Sequence, residues 1–221
     1  MKIKLLLITV PVLISLSVPA LPGVRDTKHN FTQQSTSPNA YFLGANQVCV
    51  FCHTVHNADP ARDQLWNHEV NDLQTYIPYS SPTLDMPQSA PRNGSLICLS
   101  CHDGTIAVNS LNNLPGPEGA GNYGIPAGPG LDGSGRLTSA SSAYVGTDLS
   151  NDHPVGLTYD TGFDGDFVPK TGNPDLYPDK LLYLGDYVEC TSCHNPHDNT
   201  WGDFLVESNQ NSDLCGRCHI K

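Results

Sequence analysis

Cys190-Thr191-Ser192-Cys193-His194-Asn195-Pro196-His197 is the stretch on which the reading of this chain turns. It holds two cysteines separated by two residues, a histidine directly after the second, and another histidine three positions on. The same cysteine, two residues, cysteine, histidine order recurs at Cys49/Cys52/His53, Cys98/Cys101/His102 and Cys215/Cys218/His219, and so uses all 8 cysteines of the 221 residues. With 9 histidines in the chain, chance would put one after a given cysteine about 4 times in 100, and after all four on the order of 3 times in a million.

CxxCH is the attachment pattern of c-type haem. Two thiols three positions apart can add to the two vinyl groups on one porphyrin edge, and the imidazole of the next residue reaches the iron. Two other chemistries use paired cysteines. Exported cysteine-rich chains are commonly disulfide scaffolds, and the spacing from Cys190 to Cys218 approaches that of a zinc ribbon. Neither gives a reason for a histidine after every second cysteine, and a disulfide within each pair would close only a tiny loop. The expectation is therefore four c-type haems on Cys49, Cys52, Cys98, Cys101, Cys190, Cys193, Cys215 and Cys218, with iron ligands His53, His102, His194 and His219.

Outward from the motifs, composition narrows the partners. The chain is 38% hydrophobic and 15% charged, with 20 Gly, 18 Pro and a formal charge of −11. That field repels phosphates, so nucleic acid and anionic membranes are poor candidate partners. Lys2 and Lys4 precede an uncharged run from Leu5 to Val18, followed by Ala20, the layout of a signal peptide over residues 1–20. The run is short for a bilayer span, so no membrane span is expected in the mature form. Without those residues the chain is more acidic and too poor in Leu, Ile, Val and Phe to build a core from side chains alone. Four porphyrins would supply the missing apolar mass.

Four six-coordinate irons need eight axial ligands. The motifs supply four, leaving His29, His56, His68, His153 and His197 for four distal places. Methionine is nearly absent, and Met86 is read as a packing residue, so bis-histidine ligation is expected. His53 and His56, like His194 and His197, are three apart, which on a helical turn puts both on one face. Two ligands of one haem approach from opposite faces, so His56 and His197 must serve neighbouring haems, with the His219 haem a candidate for His197. His153 lies in the loop Asn151-Asp152-His153-Pro154, where Asp152 is placed to orient its ring. His29, near the mature N-terminus, sits on an arm able to fold back or to reach another protomer. His68 is the surplus histidine, a candidate donor to a propionate. Trp66, Tyr76, Tyr79, Trp201 and Phe204 are expected along haem edges. Asp160, Asp164 and Asp166 form only a loose likeness to a calcium loop and are read as a solvated turn.

No period of 2 or 3.6 runs far along the chain, and Gly and Pro dominate from Pro115 to Gly135. The fold class expected is coil-rich with few short helices, organised around a chain of four closely packed haems. One tetrahaem unit spans 21–221, with a two-haem half at about 21–112, a Gly/Pro-rich connection at about 113–150 and a second two-haem half at about 151–221.

The runs Thr27-Lys28-His29, Val48 to Ala58, Leu65-Trp66-Asn67, Ser80 to Thr83, Cys98 to Thr105, Asp152 to Gly156 and Cys190 to His197 resemble exported multihaem cytochromes of the doubled-CxxCH group. The four-haem count and size are similar to the extracellular tetrahaem filament, or nanowire, cytochromes. The resemblance implies a coil-rich fold around a continuous haem chain, protomers stacked head to tail as a homopolymer with haem-to-haem contact, and an imidazole of one protomer able to complete a haem of the next. It carries the four CxxCH sites and His29, His56, His153 and His197 over as ligands, with His29 the first choice for the crossing one.

Two functional classes remain. The first is electron transfer with every iron saturated, exchanging electrons with redox protein donors and acceptors, as an extracellular filament or as a monomeric periplasmic or secreted carrier. The second is a multihaem reductase with one open iron. The histidine supply favours the non-enzymatic class, and every motif ends in His.

Overall fold

The computed structural model describes residues 23–32, 46–114, 128–174, 176 and 181–220. The signal-peptide expectation and most of the Gly/Pro run at 115–127 lie outside these. Among the described residues, regular structure is sparse. One α-helix, α1 (Asn93–His102), is joined by five 3₁₀ turns, at Val24–Asp26, Cys49–Phe51, Cys190–Ser192, Gln210–Ser212 and Cys215–Arg217. A two-stranded antiparallel ladder pairs β1 (Leu157–Thr158) with β2 (Tyr187–Val188), Leu157 opposite Val188. Among the described residues, no helix is long and apolar enough to cross a membrane.

Three of the five 3₁₀ turns and α1 fall on the four CxxCH motifs, for a local reason. In three of them the amide of the second cysteine donates to the carbonyl of the first at 3.1–3.2 Å, and the histidine amide donates to the same carbonyl at 2.8–3.0 Å. The fourth motif, Cys98 to His102, forms the end of α1. One turn of helix brings residues three and four apart onto one side, so each motif presents two thiols and an imidazole together. Helix α1 ends at Asp103, and Gly104 follows at φ +73°, the left-handed position that stops a helix. A side chain there would also collide with the Leu137 carbonyl.

Two small apolar clusters hold the coil. Met86, Leu157, Tyr159, Leu176, Leu181, Leu182 and Val188 form one, with Cys218 at its margin. Val50, Phe51 and Val108 form the other, flanked by Cys52, Cys101, Leu131 and Leu137. Cys52, Cys101 and Cys218 thus border the apolar clusters. Met86 packs in it, as a structural methionine would. The described part of the connection, 128–150, returns to the first half: Val108 N–H donates to Gly135 O and Val145 N–H to His102 O.

The two halves also meet directly. Ser95, on α1, donates to the Glu189 carboxylate at 2.6 Å and accepts from the Cys190 amide at 2.9 Å. The Arg92 amide donates to the same carboxylate, satisfying a donor at the helix start, and the Arg92 guanidinium lies 3.6 Å over the Tyr187 ring. This buried joint fixes the Cys98 motif against the Cys190 motif.

Candidate haem-binding sites

All nine histidines lie within the described residues. Three of the four CxxCH imidazoles share one device: a backbone carbonyl takes the Nδ1 hydrogen. His53 Nδ1 donates to Gln64 O at 2.6 Å, His102 Nδ1 to Ala143 O at 2.6 Å and His194 Nδ1 to Asp203 O at 2.9 Å. Such a bond sets the tautomer and leaves Nε2 with its lone pair for a metal. Two of these carbonyls are delivered by strained backbone. Gln64 and Leu65 sit at φ 61° and 55°, Asp203 and Phe204 at 42° and 62°, positive values that non-glycine residues rarely adopt and that concentrate at functional sites.

The first and third motifs are in fact one structural unit used twice. After each histidine the chain leaves the helical turn, loops round and returns antiparallel. Thr54 N–H donates to Leu65 O and Asn67 N–H to Cys52 O, as Asn195 N–H does to Phe204 O and Val206 N–H to Cys193 O. Sequence reading missed this repeat because the two returning segments, Leu65-Trp66-Asn67 and Phe204-Leu205-Val206, share little beyond apolar side chains. The helical turn expected to join His53 to His56 and His194 to His197 does not form: the chain at His53 and His194 is in an extended bridge, to Trp66 and to Leu205.

Two imidazole nitrogens at about 2 Å from one metal, on opposite sides, put the ring centroids about 6 Å apart. Three histidine pairs stand at that separation. His53 and His197 are 5.9 Å apart with planes at 13°, His29 and His102 6.1 Å at 84°, and His153 and His219 6.4 Å at 83°. Each joins a CxxCH histidine to one of the distal candidates. His197 therefore faces His53, and not His219 as its position in the sequence suggested; the place opposite His219 goes to His153. The ring of His153 is oriented by its neighbour's carbonyl, with Nδ1 3.2 Å from Pro154 O, rather than by Asp152.

The N-terminal arm folds onto its own chain. His29 stacks on Phe204 at 4.4 Å, and Lys28 pairs with Asp203 at 3.0 Å. Burial, with His102 and His197 close by, pulls the His29 pKa down to about 4. Burial likewise lowers those of His102 and His197. All three rings are thereby kept neutral, the form that ligates iron.

His194 has no facing imidazole among the described residues. His56 is exposed and pairs with none. His68 is buried, with both ring nitrogens on carbonyl oxygens, Nδ1 2.8 Å from Glu69 O and Nε2 3.0 Å from Ala107 O, so it is not free to ligate iron.

The thiols fit covalent attachment better than zinc. All eight cysteines are free. Burial pushes the Cys52 and Cys101 thiols up to about 12 and Cys218 up to about 11, against thiolate formation. Among the described residues no three His, Cys, Asp or Glu side chains converge on a metal-sized site. The Cys98 and Cys190 thiols lie near enough to perturb each other, the pKa of Cys98 being raised and that of Cys190 lowered. Trp66 stands edge-on to His53 at 6.0 Å, and its buried Nε1 has no partner, a donor suited to a propionate.

No curated protein matches the chain. The family model described as the doubled CXXCH motif matches residues 185–221, which contain the motifs ending in His194 and His219. That match supports a multihaem c-type cytochrome, binding c-type haem through its CXXCH pairs.

Proposed function

We propose that the protein carries electrons through four c-type haems and that copies of it join end to end as an exported, extracellular filament. When bound, the haems supply one-electron chemistry at irons held in low-potential bis-histidine sites. The three imidazole pairs at 5.9–6.4 Å carry this reading. His53 with His197, His102 with His29, and His219 with His153 hold three irons from both sides, which closes those sites to substrate. His197 lies three residues from His194, so one loop holds ligands of two different irons. The Ser95–Glu189 joint, with the Cys190 amide donating to Ser95, brings two attachment motifs together. Short separation of redox centres is what electron hopping needs.

The fourth site supports polymerisation and moves the crossing ligand. His29, the first choice from position alone, is packed opposite His102 of its own chain. His194 lacks a facing imidazole, and His56 is unused and exposed beside Val55, itself 79% exposed. His56 of one protomer completing the His194 haem of the next gives every iron two histidines. Sedimentation and carbon monoxide binding test this on haem-loaded protein. The filament reading expects assembled wild type that leaves carbon monoxide unbound, and a His56→Ala variant that stays monomeric and binds it at one haem in four. A wild type that is strictly monomeric would refute polymerisation, and carbon monoxide binding by assembled wild type would refute saturation.

A further inference from the structure

His68 is the one histidine that the ligand pairing leaves unused and yet is buried, at 1% exposure. Its surroundings ask for a charge. Nδ1 lies 2.8 Å from Glu69 O, and Nε2 lies 3.0 Å from Ala107 O and 3.4 Å from Cys101 Sγ. A neutral imidazole has one N–H and one lone pair, whereas a carbonyl oxygen only accepts. In the neutral ring one nitrogen therefore turns a lone pair toward an oxygen lone pair, and only the imidazolium donates to both. The ring cannot easily turn away. The residue is stitched to the loop that follows α1: Asn112 donates to His68 O, Glu69 N–H to Ser110 O, and His68 bridges Leu111.

We propose that His68 takes up a proton at a ring nitrogen when the haem on Cys98 and Cys101 is reduced, an inference that rests on the haem reading above. His68 gains one proton from bulk water as one electron from a one-electron donor converts the ferric haem to ferrous; no bond in the chain breaks. Two opposed effects poise the ring. Burial, the larger, lowers its pKa, while the carbonyls of Glu69 and Ala107 and the carboxylates of Glu69 and Asp103 raise it. The Glu69 carboxylate is on His68's own segment and accepts from Ser110 at 2.7 Å; the Asp103 carboxylate, at the end of α1, accepts from Tyr76 at 2.7 Å. Cys101, once a thioether, carries no titrating proton. An added electron at about 10 Å in an effective dielectric of about 20 shifts a nearby pKa by about one unit, a roughly tenfold gain in proton affinity.

The test is a potentiometric titration of the haem-loaded full chain between pH 5 and 8, in wild type and His68→Gln, with the haems resolved by magnetic resonance. In wild type the potential of one haem is expected to fall as pH rises, by at most about 59 mV per unit, the one-electron equivalent of a tenfold change. In His68→Gln that slope is expected to flatten while the other three haems are unchanged. An equal slope in the variant, or none in wild type, would overturn the proposal. Should the variant fail to load haem, reduced-minus-oxidised infrared spectra of wild type with isotope-labelled histidine replace it. Imidazolium bands growing on reduction support the proposal, and their absence overturns it. Failure of the underlying reading looks different: mass spectrometry would find no haem on the Cys98–Cys101 peptide.

Discussion

Gly94 offers a case in which two physical effects predict opposite signs. It lies inside α1 with an ordinary helical backbone, so Gly94→Ala by helix propensity alone should stabilise by about 1 kcal/mol. The joint with the Cys190 turn predicts the reverse. A Cβ at Gly94 would stand 2.8 Å from Thr191 Oγ1, 2.9 Å from Glu189 Cβ and 2.9 Å from Tyr183 Cδ2. None of these atoms is the free end of a long side chain, and Glu189 is locked by Ser95 and Arg92. The helix must therefore move off the turn, at the overpacking cost of about 1–3 kcal/mol plus weakening of a buried hydrogen bond worth about 1 kcal/mol. The close approach outweighs the propensity, and Gly94→Ala is expected to be about 1–3 kcal/mol less stable. Guanidinium unfolding of haem-loaded protein, followed in the far ultraviolet and at the Soret band, reads this, and Thr191→Gly in the same chain should recover part of the loss. A Gly94→Ala protein as stable as wild type, or more so, would refute the close docking of α1 on the Cys190 motif.

Other consequences can be checked in the same way. Glu189→Ala leaves the Ser95 hydroxyl, the Arg92 amide and a partly covered guanidinium without their acceptor, and should cost about 3 kcal/mol in the same unfolding assay. Lys28→Ala removes only an exposed ion pair and should change stability by less than about 1 kcal/mol. Phe204→Ala removes the ring on which His29 stacks and should instead admit carbon monoxide to the haem of His102 in reduced protein. His197→Ala should open the iron of His53, read as a ligand-binding site on the Cys49–Cys52 haem, and leave the Cys215–Cys218 haem unreactive.

The attachment chemistry was legible because it is local. CxxCH needs only one helical turn, and that turn forms at all four motifs. The sparse helices were legible for a similar reason, since the 20 Gly and 18 Pro recur along the chain and no 3.6-residue apolar period runs far between them. The partner of each distal histidine was not legible. His197 is close in sequence to His219 yet faces His53, because the chain leaves helical geometry at His194 and runs back in an extended bridge that no spacing rule reveals. His29 likewise could be placed on an arm but not docked, since its seat is made by Phe204 and Asp203, about 175 residues away. The Ser95–Glu189 joint is similarly non-local: a serine in a helix and a glutamate before a cysteine carry no sign that they will meet.

The central claim is that three irons are held by His53 with His197, His102 with His29, and His219 with His153, and that His194 receives its second imidazole from another copy. A structure of the haem-loaded, assembled protein tests it most directly. The account predicts those three pairs within one protomer and His56 of a neighbouring protomer on the iron of His194. His197 on the iron of His219, or His29 reaching out of its own chain, would contradict it.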